Sequence, residues 1–247
     1  LDIISVCDLP VGVMNKIADL IDIDVSELEV DYVGLNHLGW YTGLYHQGQD
    51  KLEEVLAEVE KLDLGVNGDL IRTLGAVPVP YLKYYYHHQQ QVEAAKQKDQ
   101  LRAKELLATG EKIKEELAAN PSQIPDAIRQ RGAIWYSDVI IPLISALQNS
   151  QPQEFILNVA NKGLIPELND EVIIEVPAVV NSNRIRPLEA PKVPEDLKGV
   201  ISQEANFRNL ATKAAISGND KDILRALLAN PQVPSYDSAK KLLAEII

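Results

Sequence analysis

Apolar positions recur along this chain at two periods, and the switch from one to the other divides it into elements. Leu1-Asp2-Ile3-Ile4-Ser5-Val6 reads as a buried strand already in progress with no initiator Met, so the sequence is expected to be a piece of a longer protein. From about Pro10 to Ile21, Val11, Met14, Ile17, Ala18 and Ile21 fall at helical spacing. Leu28 to Val33 then alternates as a strand, and Trp40 to Tyr45 predicts a second strand running back, closed by Gly48. His37 falls between them, at a hairpin corner flanked by glycines. Asp50 with Glu53 forms a capping box for a helix whose apolar face is Leu52, Val55, Leu56, Val59 and Leu62.

Asp69 to Leu74 predicts a short helix ended by Gly75, and Val77-Pro78-Val79-Pro80 forces an extended stretch into Tyr81-Leu82-Lys83-Tyr84-Tyr85-Tyr86. The tyrosines open a polar helical region reaching about Ala118, with a weak point at Thr109-Gly110, so two helices or one interrupted helix are expected. A further helix after Arg131-Gly132-Ala133 runs through Trp135 to Leu147, kinked at Pro142 unless that residue falls near a break. Strands are predicted at 155–159 and 172–176, separated by an Asn161-Lys162-Gly163 turn, and the C-terminus is helical, with Asp220 and Ser235 as caps. Strands and helices do not alternate as βαβ units, which predicts an α+β fold with an antiparallel or mixed sheet.

Composition narrows the function classes. The 247 residues can bury a sizeable core, and 46% of them are hydrophobic. With a net charge of −12 and its Lys and Arg mixed among Asp and Glu, the chain offers no basic face for phosphate backbones, so no nucleic-acid partner is expected. No apolar run approaches the length of a membrane span, and nothing in the sequence targets a membrane. The single cysteine excludes an internal disulfide framework, and a thiol meant for metal calls for reducing surroundings, so a cytoplasmic location is expected. The sequence carries no Gly-x-Gly-x-x-Gly after a strand, hence no dinucleotide fingerprint of its own.

That cysteine, Cys7, lies in Val6-Cys7-Asp8-Leu9-Pro10, and His37 lies in Gly34-Leu35-Asn36-His37-Leu38-Gly39-Trp40. A thiol at the end of an apolar run, beside a carboxylate and a proline, is either a small buried hydrophobe or a metal ligand. Asp8 likewise reads as a helix cap on position alone.

Val6-Cys7-Asp8-Leu9-Pro10-Val11-Gly12, the His37 segment, Pro80-Tyr81-Leu82-Lys83-Tyr84-Tyr85-Tyr86, and Asn158-Val159-Ala160-Asn161-Lys162-Gly163 with Glu175-Val176-Pro177 together resemble, in that order, glycoside hydrolase family 4. Arg131-Gly132-Ala133-Ile134-Trp135-Tyr136-Ser137 is similar to a further family segment, one glycine short. The resemblance implies the C-terminal part of an NAD-dependent 6-phospho-glycosidase, with a lactate/malate dehydrogenase C-terminal-like α+β domain spanning 1–247. It further implies that the Rossmann NAD-binding domain is absent from this chain, so that the piece alone is inactive. The implied chemistry is an exception to the two-carboxylate scheme. The sugar is oxidised at C3 by NAD, a base takes the C2 proton, the aglycone leaves by elimination, water adds and the ketone is reduced again. A divalent metal, commonly manganese, binds the C2 and C3 oxygens.

By the same resemblance Cys7 and His37 are the metal ligands, Asp8 the acid at the leaving oxygen, Tyr81 the C2 base, and Asp8, Asn36 and Arg131 contact the sugar. The Tyr81 and Arg131 segments look closest to 6-phospho-β-glucosidases, while Asp8 is similar to the 6-phospho-α-glucosidase members. The expected partners are a phosphorylated disaccharide or glucoside and further copies of the chain, as a dimer or tetramer. Two other classes are a non-catalytic oligomerisation module, suggested by the long polar helix, and a different dehydrogenase-like enzyme, which would need no thiol ligand. Tyr84, Tyr85 and Tyr86 read as packing or interface aromatics, His46, His87 and His88 as surface residues, and Asn161 and Gly163 as turn formers.

Overall fold

A computed structural model of the chain describes residues 3–98, 100, 102–131 and 136–246. Its centre is the predicted hairpin. Strand β1 is Ser5–Val6, β2 Leu28–Leu35, β3 Leu38–His46, β4 Gln49–Asp50, β5 Val77–Pro78, β6 Gln153–Ala160, β7 Ile173–Asn181 and β8 Arg184–Pro187. They form one sheet in the order β1-β6-β7-β2-β3-β4, with β5 also on β3 and β8 on β7, and every ladder is antiparallel. The expected α+β class is what the chain adopts.

The helices are α1 Asp8–Leu20, α2 Leu52–Ala57, α3 Gly68–Leu74, α4 Lys83–Tyr86, α5 His88–Lys96, α6 Arg102–Ala119, α7 Ile141–Gln148, α8 Glu195–Ser217, α9 Asp220–Ala229 and α10 Tyr236–Ile246. The α1 face Val13, Ile17, Ala18 and the α8 face Leu197, Ile201, Ala205 pack with Tyr32, Trp40 and Tyr41 of the hairpin in the main core. A smaller cluster joins Leu143 and Ala146 of α7 to Leu157, Ala178 and Val180. No helix among the described residues is long and apolar enough to cross a membrane.

Several local expectations need correction. Leu1 and Asp2 lie outside the described residues; among the described residues of the opening strand only Ser5–Val6 pairs, against β6 at the end of the sheet, and Ile3 is 81% exposed rather than buried. An end strand has one neighbour, so its apolar run covers less than a central strand would. Helix α1 begins at Asp8, ahead of Pro10, with Cys7 in the extended N-cap position. Pro10 fits the first turn because the amides there have no intrahelical acceptor. Thr109-Gly110 does not interrupt α6, where the Thr109 hydroxyl donates to the Glu105 carbonyl (2.9 Å); α5 ends at Lys96 and α6 begins at Arg102. The Asp50 carboxylate accepts from the Leu52 amide (2.9 Å), but the N-cap position is Lys51 and no capping box closes. Asn219, not Asp220, caps α9, by accepting from the Lys221 amide at 2.9 Å. Pro142 lies in the first turn of α7, directly after a π-helical turn over Tyr136–Ile140, so the break is upstream of it.

Candidate active site

The site is built from the β2–β3 turn outward. Leu35 pairs with Leu38, leaving Asn36 and His37 as a two-residue connection. His37 takes φ 66°, a left-handed conformation that costs a non-glycine residue about 1 kcal/mol. Glycines on either side let the strands close this tightly. A Cβ at Gly34 would lie 2.3 Å from the Leu38 carbonyl oxygen, and one at Gly39 would lie 2.1 Å from the Tyr32 hydroxyl.

The Tyr32 hydroxyl needs that space because it donates to Glu175 (2.6 Å). Glu175 is fully buried, and its other carboxylate oxygen accepts from Asn36 Nδ2 (3.2 Å) and Asn158 Nδ2 (3.3 Å). Burial raises the Glu175 carboxyl above the usual range, and the three donors and the Arg208 charge only partly offset it. Arg208 of α8 donates through Nη2 to the Asn36 carbonyl (2.6 Å) and through Nε to Glu204 (2.9 Å), clamping the turn from outside. Asn158 Oδ1 is buried with no hydrogen-bond partner.

Cys7 comes to the same place from β1. It is 8% exposed, its Sγ lies 3.8 Å from Asp8 Oδ1, and the Asn36 side chain lies near enough to act on the sulfur. Burial, with smaller effects from the Glu175 and Asp8 charges, pushes the thiol up to about 11 against help from the Leu9 amide. His37 is shifted the other way: burial and then the Arg208 charge lower it, with Asp8 opposing, which keeps the ring neutral and its lone pair available. Strand β5 pairs with β3, and the Val79 amide donates to the Gly39 carbonyl (3.0 Å), so the 3-10 turn Pro80–Leu82 is pinned beside the hairpin end. Tyr81 thereby sits edge-on to His37, ring centroids 4.5 Å apart, and is 40% exposed.

Asn36, His37, Tyr81, Tyr84, Arg208 and Gln232 are among the residues lining a cleft of about 430 Å³. Of the residues the sequence singled out, Cys7, Asp8, Asn36, His37 and Tyr81 are thus linked through direct contacts or neighbouring charges. Arg131 ends the segment Asp126–Arg131, and its side chain lies outside the described residues. Among the aromatics read as packing residues, Tyr85 and Tyr86 do pack on the main core, but Tyr84 and Tyr85 also border the cleft. His87 accepts from the Asn67 amide (3.0 Å), and Asn161 is buried with its amide spanning the Ile165 and Leu168 carbonyls (both 2.9 Å), as a turn former does.

Sequence reasoning assigned no role to Glu175, Asn158, Glu204 or Arg208. Glu175 and Asn158 stand inside the segments that carry the family resemblance, and a carboxylate between Ile174 and Val176 in an apolar strand was a signal. Arg208 gave only an i,i+4 pairing with Glu204, common on solvated helices.

Among the described residues no three His, Cys, Asp or Glu side chains converge as a ready-made cation cage. A thiol and a neutral imidazole on rigid backbone suit an ion that takes its remaining ligands from sugar oxygens. The donor set fits a borderline divalent cation in that arrangement.

The comparisons with known proteins give the family. Residues 32–233 match the family model described as Family 4 glycosyl hydrolase C-terminal domain. The chain is 28% identical over 260 residues to a probable 6-phospho-beta-glucosidase of Bacillus subtilis (strain 168), covering 99% of this chain and 59% of that protein. It is 26% identical over 270 residues to the maltose-6'-phosphate glucosidase MalH of Clostridium acetobutylicum, with 99% of this chain and 60% of that protein covered. Among solved structures it superposes on the 6-phospho-beta glucosidase of Thermotoga maritima in a form with manganese, NAD+ and glucose-6-phosphate. The TM-score is 0.87 at 26% identity, over 98% of this chain and 59% of that one. The chain therefore spans about 60% of the length of these relatives. With 32–233 matched, it belongs to the family 4 glycosyl hydrolases, whose C-terminal domain it carries.

Proposed function

We propose that this chain is the cation- and sugar-handling part of a 6-phospho-β-glucosidase that works by oxidation, elimination and re-reduction. One observation supports the reading: Cys7 lies near the side chain of Asn36, the residue before His37, and Tyr81 stands against the His37 ring. Cys7 and His37 would hold a divalent cation, and the manganese in the T. maritima relative supports that choice. When bound, such a cation supplies Lewis acidity to the vicinal sugar oxygens. Tyr81, open to the cleft, takes the C2 proton on its phenolic oxygen. Asp8, next to the thiol, gives a proton to the oxygen departing from C1. Asn36 and Arg131 bind the sugar. The imidazole is held neutral by burial and Arg208, as a metal ligand must be.

NAD, present in that relative, would be the C3 hydride acceptor and would be held by a Rossmann domain outside this chain, which has no glycine-rich fingerprint. A single free thiol is suited to the cytoplasm. The α-anomer reading keeps its place, because MalH shares 26% identity and elimination does not require one anomer. Assay of both p-nitrophenyl 6-phospho-glucoside anomers decides between them.

The metal reading is tested by Mn2+ titration of the full-length, NAD-bound protein with glucose 6-phosphate, following the free-ion resonance. Cys7→Ser and His37→Ala should each weaken binding by at least about tenfold. Unchanged affinity in both removes the assignment.

A further inference from the structure

Glu175 touches neither member of the proposed ligand pair through a hydrogen bond, yet it stands between the two segments that carry them. Its strand neighbours are Asn158 on one side and Gly34 on the other, the latter being the one ladder pair between β2 and β7 among the described residues. Asn158 is itself opposite Ser5, two residues before Cys7, and its Nδ2 lies 3.5 Å from the Ser5 carbonyl. Gly34 is two residues before Asn36, whose amide reaches back to the carboxylate (3.2 Å). A single buried carboxylate therefore grips the β6 position beside the thiol segment and the turn that presents the imidazole. Tyr32, bonded to its other oxygen, fixes the rotamer.

We infer that Glu175 is a positioning residue that sets the spacing of Cys7 and His37 through Asn158 and Asn36. The inference rests on the metal reading above. A buried ionisable group is costly to fold around, and apolar neighbours Ile174 and Val176 show that the strand could have been filled without one. What the carboxylate adds is acceptor capacity: two amides on one oxygen and a phenol on the other. Gln at 175 can keep that pattern, with its oxygen toward the asparagines and its NH2 toward a Tyr32 hydroxyl turned to accept. Ala cannot.

In the full-length protein with its NAD-binding part, Mn2+ affinity is measured in the presence of glucose 6-phosphate for Glu175→Ala, Glu175→Gln and Asn158→Ala, with NAD affinity measured alongside. Outer-shell groups of this kind typically contribute about 10 to 100-fold to metal affinity. Glu175→Ala should lose at least about tenfold with NAD affinity unmoved, and Glu175→Gln should return to within about threefold of the parent. Asn158→Ala, which severs only the thiol-side tether, should lose several-fold and keeps the test alive if the Glu175→Ala chain does not fold. Unchanged Mn2+ affinity in either alanine variant overturns the inference, and so does a Gln variant as weak as the Ala variant, since the charge would then be what matters. Cys7→Ser in the same titration separates the two ideas. If it too leaves affinity intact the metal reading falls; if it alone abolishes binding, only the role of Glu175 is lost.

Discussion

At the scale of single residues, the site sets ionisable groups in burial that shifts them in opposite senses. Burial raises the Glu175 carboxyl, whereas the same desolvation lowers His37. An unfolded glutamate titrates at about 4.3. The stabilisation linked to the raised Glu175 is therefore full below that value and is lost as pH rises through its folded pKa, because the native state must then ionise a buried group. Glu175→Gln has no such titration. Relative to the parent it should gain stability as pH is raised above about 4.3, as read by urea unfolding, and a pH-independent difference would contradict this linkage. Tyr81 carries the other residue-scale prediction. On the proposed mechanism, the full-length protein turning over in D2O should leave deuterium at C2 of the released glucose 6-phosphate; Tyr81→Phe in that protein should lower kcat by about 10²-fold or more, the usual contribution of a general base, and abolish the exchange. Retained exchange in that variant would assign the base elsewhere.

At the scale of elements, the β2–β3 hairpin is the frame on which the other pieces are hung. Its two glycines are there for close approach. Gly39→Ala drives a methyl to within 2.1 Å of the Tyr32 hydroxyl and 2.5 Å of its ring, with the phenol held by Glu175. Overpacking alone costs about 1–3 kcal/mol, so a lower urea midpoint is expected, together with weaker Mn2+ binding as the turn moves. Gly12→Ala is the internal control: it sits in α1 with nothing within 4 Å of its added methyl. That change should stabilise by about 0.5–1 kcal/mol, the usual gain from removing glycine inside a helix. Equal effects from the two would mean that the hairpin has slack.

On the scale of the whole molecule, helices α5 and α6 bury none of their described residues and leave Leu107 70% and Leu117 42% exposed. Such a polar arm with scattered apolar residues suits packing against another copy, and light scattering after size exclusion should show a dimer or tetramer; a monomer at micromolar concentration would count against it. With NAD+, Mn2+, a reductant and a 6-phospho-glucoside, this chain alone should form no product, because hydride transfer needs the nicotinamide within about 3–3.5 Å of C3. The alternation of Leu28 to Val33 and Trp40 to Tyr45, Ile17 and Ala18 of the predicted helical stripe, and the corner at His37 were legible in the sequence, because each is a local pattern; Val13, which the stripe did not include, is buried with them. The family segments likewise pointed to Cys7, Asp8, Asn36, His37 and Tyr81 as a set. Other features needed the folded chain. That Ile3 lies exposed at a sheet end, that Cys7 occupies the N-cap of α1, and that Arg208, 172 residues from Asn36, clamps its carbonyl depend on which strand ends as neighbour to which. Glu175 shows the reason most plainly: in the sequence it is one charge in an apolar strand, and only the pairing of β7 with both β6 and β2 gives it three donors from distant segments. Periodicity reports the face a residue occupies; its partners are set by strand order, which no local pattern encodes.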